Sequence, residues 1–159
     1  MFHPYLTGER APRHNPDTKG SFFGIKLTTT REEMIRSVVE GIGFNINLIK
    51  EQVIADGYPI ESLILVGGLS KGAEIRQIFS DIMNVELRIP TYADEAATMG
   101  AAILGGIGIG LYEDERVIHK FLKIGTVVTP NAENHAKYRE LMPFFEAVYE
   151  ALLPVYPML

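Results

Sequence analysis

The chain has no cysteine and no tryptophan among its 159 residues. The first absence excludes disulfides and thiolate metal sites and fits a reducing, cytoplasmic setting. Positive charge is also in deficit, with 15 Lys and Arg against 20 Asp and Glu, a net charge of −5 and a pI near 5.4. Nucleic-acid binding needs a basic stripe to neutralise phosphates, and none is present. The four histidines, His3, His14, His119 and His135, lie too far apart to pair at ligand spacing, so no metal–histidine site is expected. Long apolar runs are missing too. The most apolar stretch, Ala96 to Leu111, has 16 residues without a charge and five glycines, short of the roughly 20 needed to span a bilayer. It reads as a tightly packed, buried helix, so no membrane partner is expected. The first 20 residues match neither a signal peptide nor a transit peptide.

What is present is an alternation of helical and strand patterns. Residues 1–29 are rich in Pro, Gly, Thr and charge and read as a loop or edge segment. Thr30 and Glu33 have capping-box spacing, and Ile35, Val38, Val39, Ile42, Ile46, Ile49 and Val53 follow at helical steps, which predicts a helix to near Asp56-Gly57. "SLILVGG" from Ser62 lacks alternation, as a strand covered on both faces does. Ile75, Ile78, Phe79, Ile82 and Met83 restore the helical period, with Asp81 read as a surface residue of that helix. "VELRIP" is a second strand. Asp94 and Glu95 place negative charge at the start of a third helix. Beyond Tyr112 come a short helix near 114–122, an "IGTVVTP" strand or arm, and a terminal helix from about Asn134 to Leu153. The expected fold class is α/β: a helix-strand-helix-strand-helix core over 30–112 with a helical tail over 113–159. Two core strands are fewer than a sheet normally has, which points to an incomplete domain and favours self-association at the open edge.

The chemistry-bearing candidate is the turn after the first of these strands, "LVGGLSKGAEIRQIFSDI" (65–82). Gly67 and Gly68 allow a ligand to approach the backbone, and the following helix offers free N–H groups. Those features suit an anion or a nucleoside, and equally a plain strand-to-helix connection. No G-x-G-x-x-G or P-loop pattern is present. "GGIGIG" at 105–110 follows a helix, so it is read as a helix stop and packing surface. Glu40 stands four residues from Arg36, as a solvated ion pair would. No acid–base pair is evident.

Three stretches, taken together, resemble the C-terminal domain of the FGGY carbohydrate kinases. "PYLTGERAP" at 4–12 resembles a segment of pentulose kinases and gluconokinases. In "GSFFGIKLTTTREEMIRSVVEG", the residues Gly20, Phe22, Gly24, Ile25, Glu33, Met34, Ser37, Val38, Val39 and Glu40 occupy the family's second signature in order. The stretch 65–110 is similar to the family's adenosine-binding turn, helix, strand and final core helix.

The resemblance implies a partial actin-like ATPase (ribonuclease H-like) domain, with 1–159 as one incomplete nucleotide-side domain whose first three strands lie outside the chain. It implies ATP or ADP as nucleotide, with Gly67 and Gly68 against the nucleoside and Lys71 and Gly72 at the edge of the adenine pocket. Xylulokinase-like relatives commonly have Ser where this chain has Gly72. The sugar, the base that accepts its hydroxyl proton and most Mg²⁺ contacts are implied for an N-terminal domain, so no catalytic residue is assigned here and the chain alone is expected to be inactive. Xylulose and gluconate are the first and second substrate expectations. Glu9 and Arg10 are expected to fix a loop near the domain hinge, and a homo-oligomer is possible.

Overall fold

A computed structural model describes residues 1–159. The chain opens with a two-residue strand, β1 (Phe2–His3), paired antiparallel with β2 (Ser21–Phe22). Helix α1 (Arg31–Ala55) follows. Its capping box is complete: Thr30 Oγ1 accepts the Glu33 N–H at 3.2 Å, and the Glu33 carboxylate accepts the Thr30 N–H at 2.8 Å, so two otherwise orphaned donors are satisfied. Strand β3 (Ser62–Ile64), helix α2 (Ala73–Met83) and strand β4 (Glu86–Pro90) form a parallel crossover unit, with Leu63 opposite Leu87. Helix α3 (Ala96–Gly108) and the short α4 (Ile118–Phe121) lead to β5 (Ile124–Val128) and the long α5 (Ala132–Leu152).

The sheet has order β3-β4-β5, with β5 antiparallel to β4. The "IGTVVTP" segment is therefore its third strand, and the stretch expected as a helical tail helps to build the core. Phe79, Met83, Val85, Leu87 and Ile89 make the main apolar cluster, closed by Val39, Ile42 and Ile46 of α1. A second cluster joins Phe44, Ile82, Tyr138 and Phe145 where α5 meets α1 and α2. Two glycines set the helix crossings. A Cβ on Gly41 would collide with the Phe2 carbonyl oxygen, and one on Gly43 would lie 2.7 Å from Ile82 Cδ1. So the backbone of β1 and the side chains of α2 both lie against the bare backbone of α1, and residues 1–29 are stitched into the domain through α1.

Three expectations are corrected. Helix α3 is not buried: Ile103 and Gly106 alone are in the interior, and Leu104 is 67 % exposed. Small residues permit a close neighbour but do not supply one. Gly100, Gly105 and Gly108 face open space, and only Gly106 meets a ring, that of Tyr112. Strand β3 is not covered on both faces, since Ile64 is exposed and β4 is its sole ladder partner. Asp81 is buried, because the start of α5 covers its side of α2. Its carboxylate accepts from Gln77 Nε2 (2.7 Å), the Asn131 N–H (2.7 Å) and Asn134 Nδ2 (2.9 Å). No helix is long and apolar enough to cross a membrane.

Candidate functional site

The turn between β3 and α2 is built almost wholly from backbone hydrogen bonds. Its entry is tied to β4 and to the turn before α3: the Leu65 N–H donates to the Arg88 carbonyl at 3.0 Å and the Gly67 N–H to the Ala93 carbonyl at 3.0 Å. Gly67 has φ 78° and ψ −168°, a region open essentially to glycine. Gly68–Ser70 then make one 3₁₀ turn before α2 begins. The Ser70 hydroxyl, itself buried, donates back to the Gly67 carbonyl at 2.7 Å.

All four residues singled out from the sequence lie on this turn. Cβ atoms placed on Gly67 or Gly68 would meet nothing within 4 Å, so their backbone is open to an approaching group. Lys71 forms a 2.8 Å ion pair with Asp94 across the gap to the segment that starts α3. Asp94 raises the Lys71 pKa by hydrogen bond and charge, which keeps the ammonium protonated and occupied. Gly72 is the N-cap of α2 and supplies no side-chain cap. An open depression of about 460 Å³ lies beside the turn, bordered by Ser70, Lys71, Tyr92, Asp94 and Thr126.

Arg76 was not singled out by sequence reasoning. Its Nε donates to the Ser70 carbonyl and its Nη2 to the Lys71 carbonyl at 3.0 Å. One signal was available: a cation four residues past the cap runs against the positive end of the helix dipole and so needs another reason to be there.

The other motif residues are held inside the fold. Glu9 is buried and accepts the Tyr149 hydroxyl at 2.9 Å. Arg13, not Arg10, is its cationic neighbour: the Arg13 guanidinium lies 4.0 Å from the Tyr149 ring centroid and pairs with Glu146 at 2.5 Å, while Arg10 is exposed. These contacts fasten the 4–12 segment to α5. The Arg36–Glu40 pair, 2.8 Å, is more than a solvated bridge, because Tyr138 donates to Glu40 at 2.9 Å and accepts from Arg36 Nη2 at 3.0 Å. Burial, aided by the Glu40 charge, pushes the Tyr138 phenol up to about 12.

Residues 1–109 match the FGGY family of carbohydrate kinases, C-terminal domain. The chain is 34% identical over 151 residues to a xylulose kinase from Staphylococcus epidermidis, covering 94% of this chain and 30% of that protein. It is 35% identical over 154 residues to a gluconokinase from Bacillus licheniformis, covering 96% of this chain and 30% of the relative. Among solved structures it is similar to ligand-bound xylulose kinase from Lactobacillus acidophilus, with TM-score 0.86 and 31% identity, covering 99% of this chain and 32% of that one. It is also similar to Plasmodium falciparum glycerol kinase with ADP, with TM-score 0.74 and 26% identity, covering 96% of this chain and 31% of that one. The chain thus spans about a third of the length of the proteins it matches. On the evidence of that match and of an α/β core shared with these enzymes, the chain belongs to the FGGY family of carbohydrate kinases and carries its C-terminal domain.

Proposed function

We propose that this chain is the nucleotide-side portion of an ATP-dependent carbohydrate kinase, and that Gly67, Gly68, Lys71 and Gly72 form the wall of its adenosine site. The observation that carries the reading is the open face over Gly67 and Gly68 at the end of β3, where no side chain stands between solvent and backbone. Exposed Val66 and Leu69 flank it and suit the flat face of a base. Charge argues for the nucleoside over the phosphates. Glu74 lies in the first turn of α2, Asp94 and Glu95 stand opposite, and Lys71 is already paired, so the start of α2 is a poor seat for a polyphosphate.

In this reading ATP supplies the γ-phosphoryl group to a sugar hydroxyl by in-line transfer, and Mg²⁺ neutralises the phosphates. In the same reading the residues for Mg²⁺ and for accepting the sugar proton belong to the part of the kinase this chain does not span. The free edge of β3 supports the same division: the chain is one incomplete actin-like domain, 1–159, whose sheet is continued by strands from outside it. A pentulose or an aldonate such as gluconate is the acceptor. The cysteine-free composition supports a cytoplasmic setting.

Calorimetric titration of the 159-residue chain with ADP and with adenosine tests the reading, and binding of both is expected. Failure of both to bind would refute the adenosine wall and leave a non-catalytic assembly module, which the open sheet edge favours. Sugar-dependent ATP turnover by the pure chain would refute the division of labour.

A further inference from the structure

The turn is polarised in its hydrogen bonding. Between Gly67 and Gly72, five of the six carbonyls are engaged. That of Gly67 accepts from Ser70, that of Gly68 from the Lys71 N–H, those of Ser70 and Lys71 from Arg76, and that of Gly72 from the Arg76 N–H. The N–H groups are divided: those of Gly67, Ser70 and Lys71 are bonded, to the Ala93, Gly67 and Gly68 carbonyls. The N–H groups of Gly68 and Leu69, and of Ala73, Glu74 and Ile75 beyond the uncapped Gly72, make no hydrogen bond within the chain. The unbonded groups of the turn are thus mostly donors: Leu69 keeps the one free carbonyl, Gly68 and Leu69 offer free N–H groups, and those of Ala73–Ile75 are the ordinary free donors of a helix start.

From this we infer that Arg76 is a positioning residue for the adenosine site: by gripping the Ser70 and Lys71 carbonyls it turns them away from the ligand and leaves a donor face, matched to the acceptor atoms of a purine ring and ribose. The inference rests on the adenosine-wall reading of the turn. Both bonds are charge-assisted, and the planar guanidinium is suited to spanning two successive carbonyls. A lysine reaches one carbonyl at a time. Without Arg76, the Lys71 carbonyl is free to rotate toward the ligand and the Ser70 carbonyl is restrained only through the Lys71 N–H bond to Gly68, so both are able to oppose the ligand's acceptors and compete with the exposed amides. Arg76 itself does not touch the nucleotide. The Lys71–Asp94 pair is too exposed, at 67% and 49%, to do the same work.

The test is calorimetry with adenosine and with ADP on the full 159-residue chain as wild type, Arg76→Met and Arg76→Lys, together with amide exchange at Ser70 and Lys71. Met keeps the apolar stem, so far-UV circular dichroism and the urea midpoint identify any variant that fails to fold. Loss of two charge-assisted bonds should weaken adenosine and ADP equally, by about tenfold or more in Arg76→Met, with Arg76→Lys between. Methylguanidinium added to Arg76→Ala should recover part of the affinity, which a general loss of stability would not allow. Exchange at the two amides should quicken in Arg76→Met without ligand. Wild-type affinity in Arg76→Met overturns the positioning role and leaves the adenosine reading intact. A loss confined to ADP overturns it too, because Arg76 would then be contacting phosphate. If the wild type binds neither ligand, the adenosine reading falls and the inference falls with it.

Discussion

Replacing Asp81 by alanine should loosen α5 from the rest of the domain. The Asp81 carboxylate is 2 % exposed and accepts three hydrogen bonds, from Gln77, the Asn131 N–H and Asn134. Two of these lie at the start of α5, where Asn131 is itself the N-cap and accepts the Asn134 N–H at 3.0 Å. Bonds to a charged acceptor contribute about 1.5–3 kcal/mol each, but they are not additive. Gln77 and Asn134 are only partly buried and regain water in the variant, so most of the loss falls on the ordering of the α5 start. A net destabilisation of about 2–4 kcal/mol follows, or roughly 5–12 °C in Tm for a chain of this length. Asp81→Asn keeps the shape and one acceptor but turns an NH₂ toward a donor, and should lose about half as much. Urea unfolding at pH 7 gives the midpoints, and amide exchange along 132–138 gives the local effect. A midpoint for Asp81→Ala within about 0.5 kcal/mol of wild type, the ordinary range for a surface substitution, would show that the network does not hold α5.

Gly41→Ala, normally worth up to about 1 kcal/mol of helix propensity, should instead destabilise by several kcal/mol, because the new Cβ meets the backbone of Phe2 and forces β1 off α1; a urea midpoint at or above wild type would refute the crossing. Gly72→Ser places a capping hydroxyl on an extended backbone (φ −80°, ψ 122°), with Ile75 side-chain atoms 3.1 Å from the new Cβ, and should stabilise by no more than a few tenths of a kcal/mol; thermal melts check it, and a loss above about 1 kcal/mol would mean that Ile75 cannot yield. His3 is fully buried, bonds the Phe145 carbonyl at 3.0 Å through Nε2, and has Arg13, Glu146 and the N-terminus as charged neighbours. Burial lowers its pKa, so the unfolded chain takes up the proton first as pH falls. Its contribution is complete above about 6.5 and is lost as pH drops from there through the lowered folded value, with a slope of at most ~1.4 kcal/mol per pH unit. His3→Gln should flatten the wild-type urea profile between pH 5 and 7, and parallel profiles would refute the assignment.

Local signals were read from the sequence well because their physics is local. Thr30 and Glu33 are three residues apart and close their own capping box, so α1 was visible from its first residue. The glycine turn was visible for the same reason, since Gly67 occupies a backbone region that its neighbours in sequence do not determine but its own lack of a side chain permits. Asp81 failed because its partners, Asn131 and Asn134, lie 50 and 53 residues away. On α2 alone it sits off the apolar stripe, and only the docking of α5 buries it. Helix α3 failed in the opposite sense. Its composition calls for a close neighbour, but composition does not say which polypeptide provides it, and within this chain most of that surface stays open. Arg76 went unread because its value lies in which carbonyls it reaches, a matter of side-chain direction rather than spacing.

The same contrast bears on the division of nucleotide binding proposed above. A nucleoside is bound by an apolar face and a few directed hydrogen bonds, and both can come from one strand-to-helix turn whose register is fixed by backbone bonds to Arg88 and Ala93. A triphosphate and its metal need converging charge from several elements. This turn offers the reverse. Its lysine is paired with Asp94, its arginine is spent on carbonyls, and Glu74 and Glu95 stand nearby. In the proposed reading, charge suited to phosphate is brought by a different part of the kinase and this turn is kept for the adenosine.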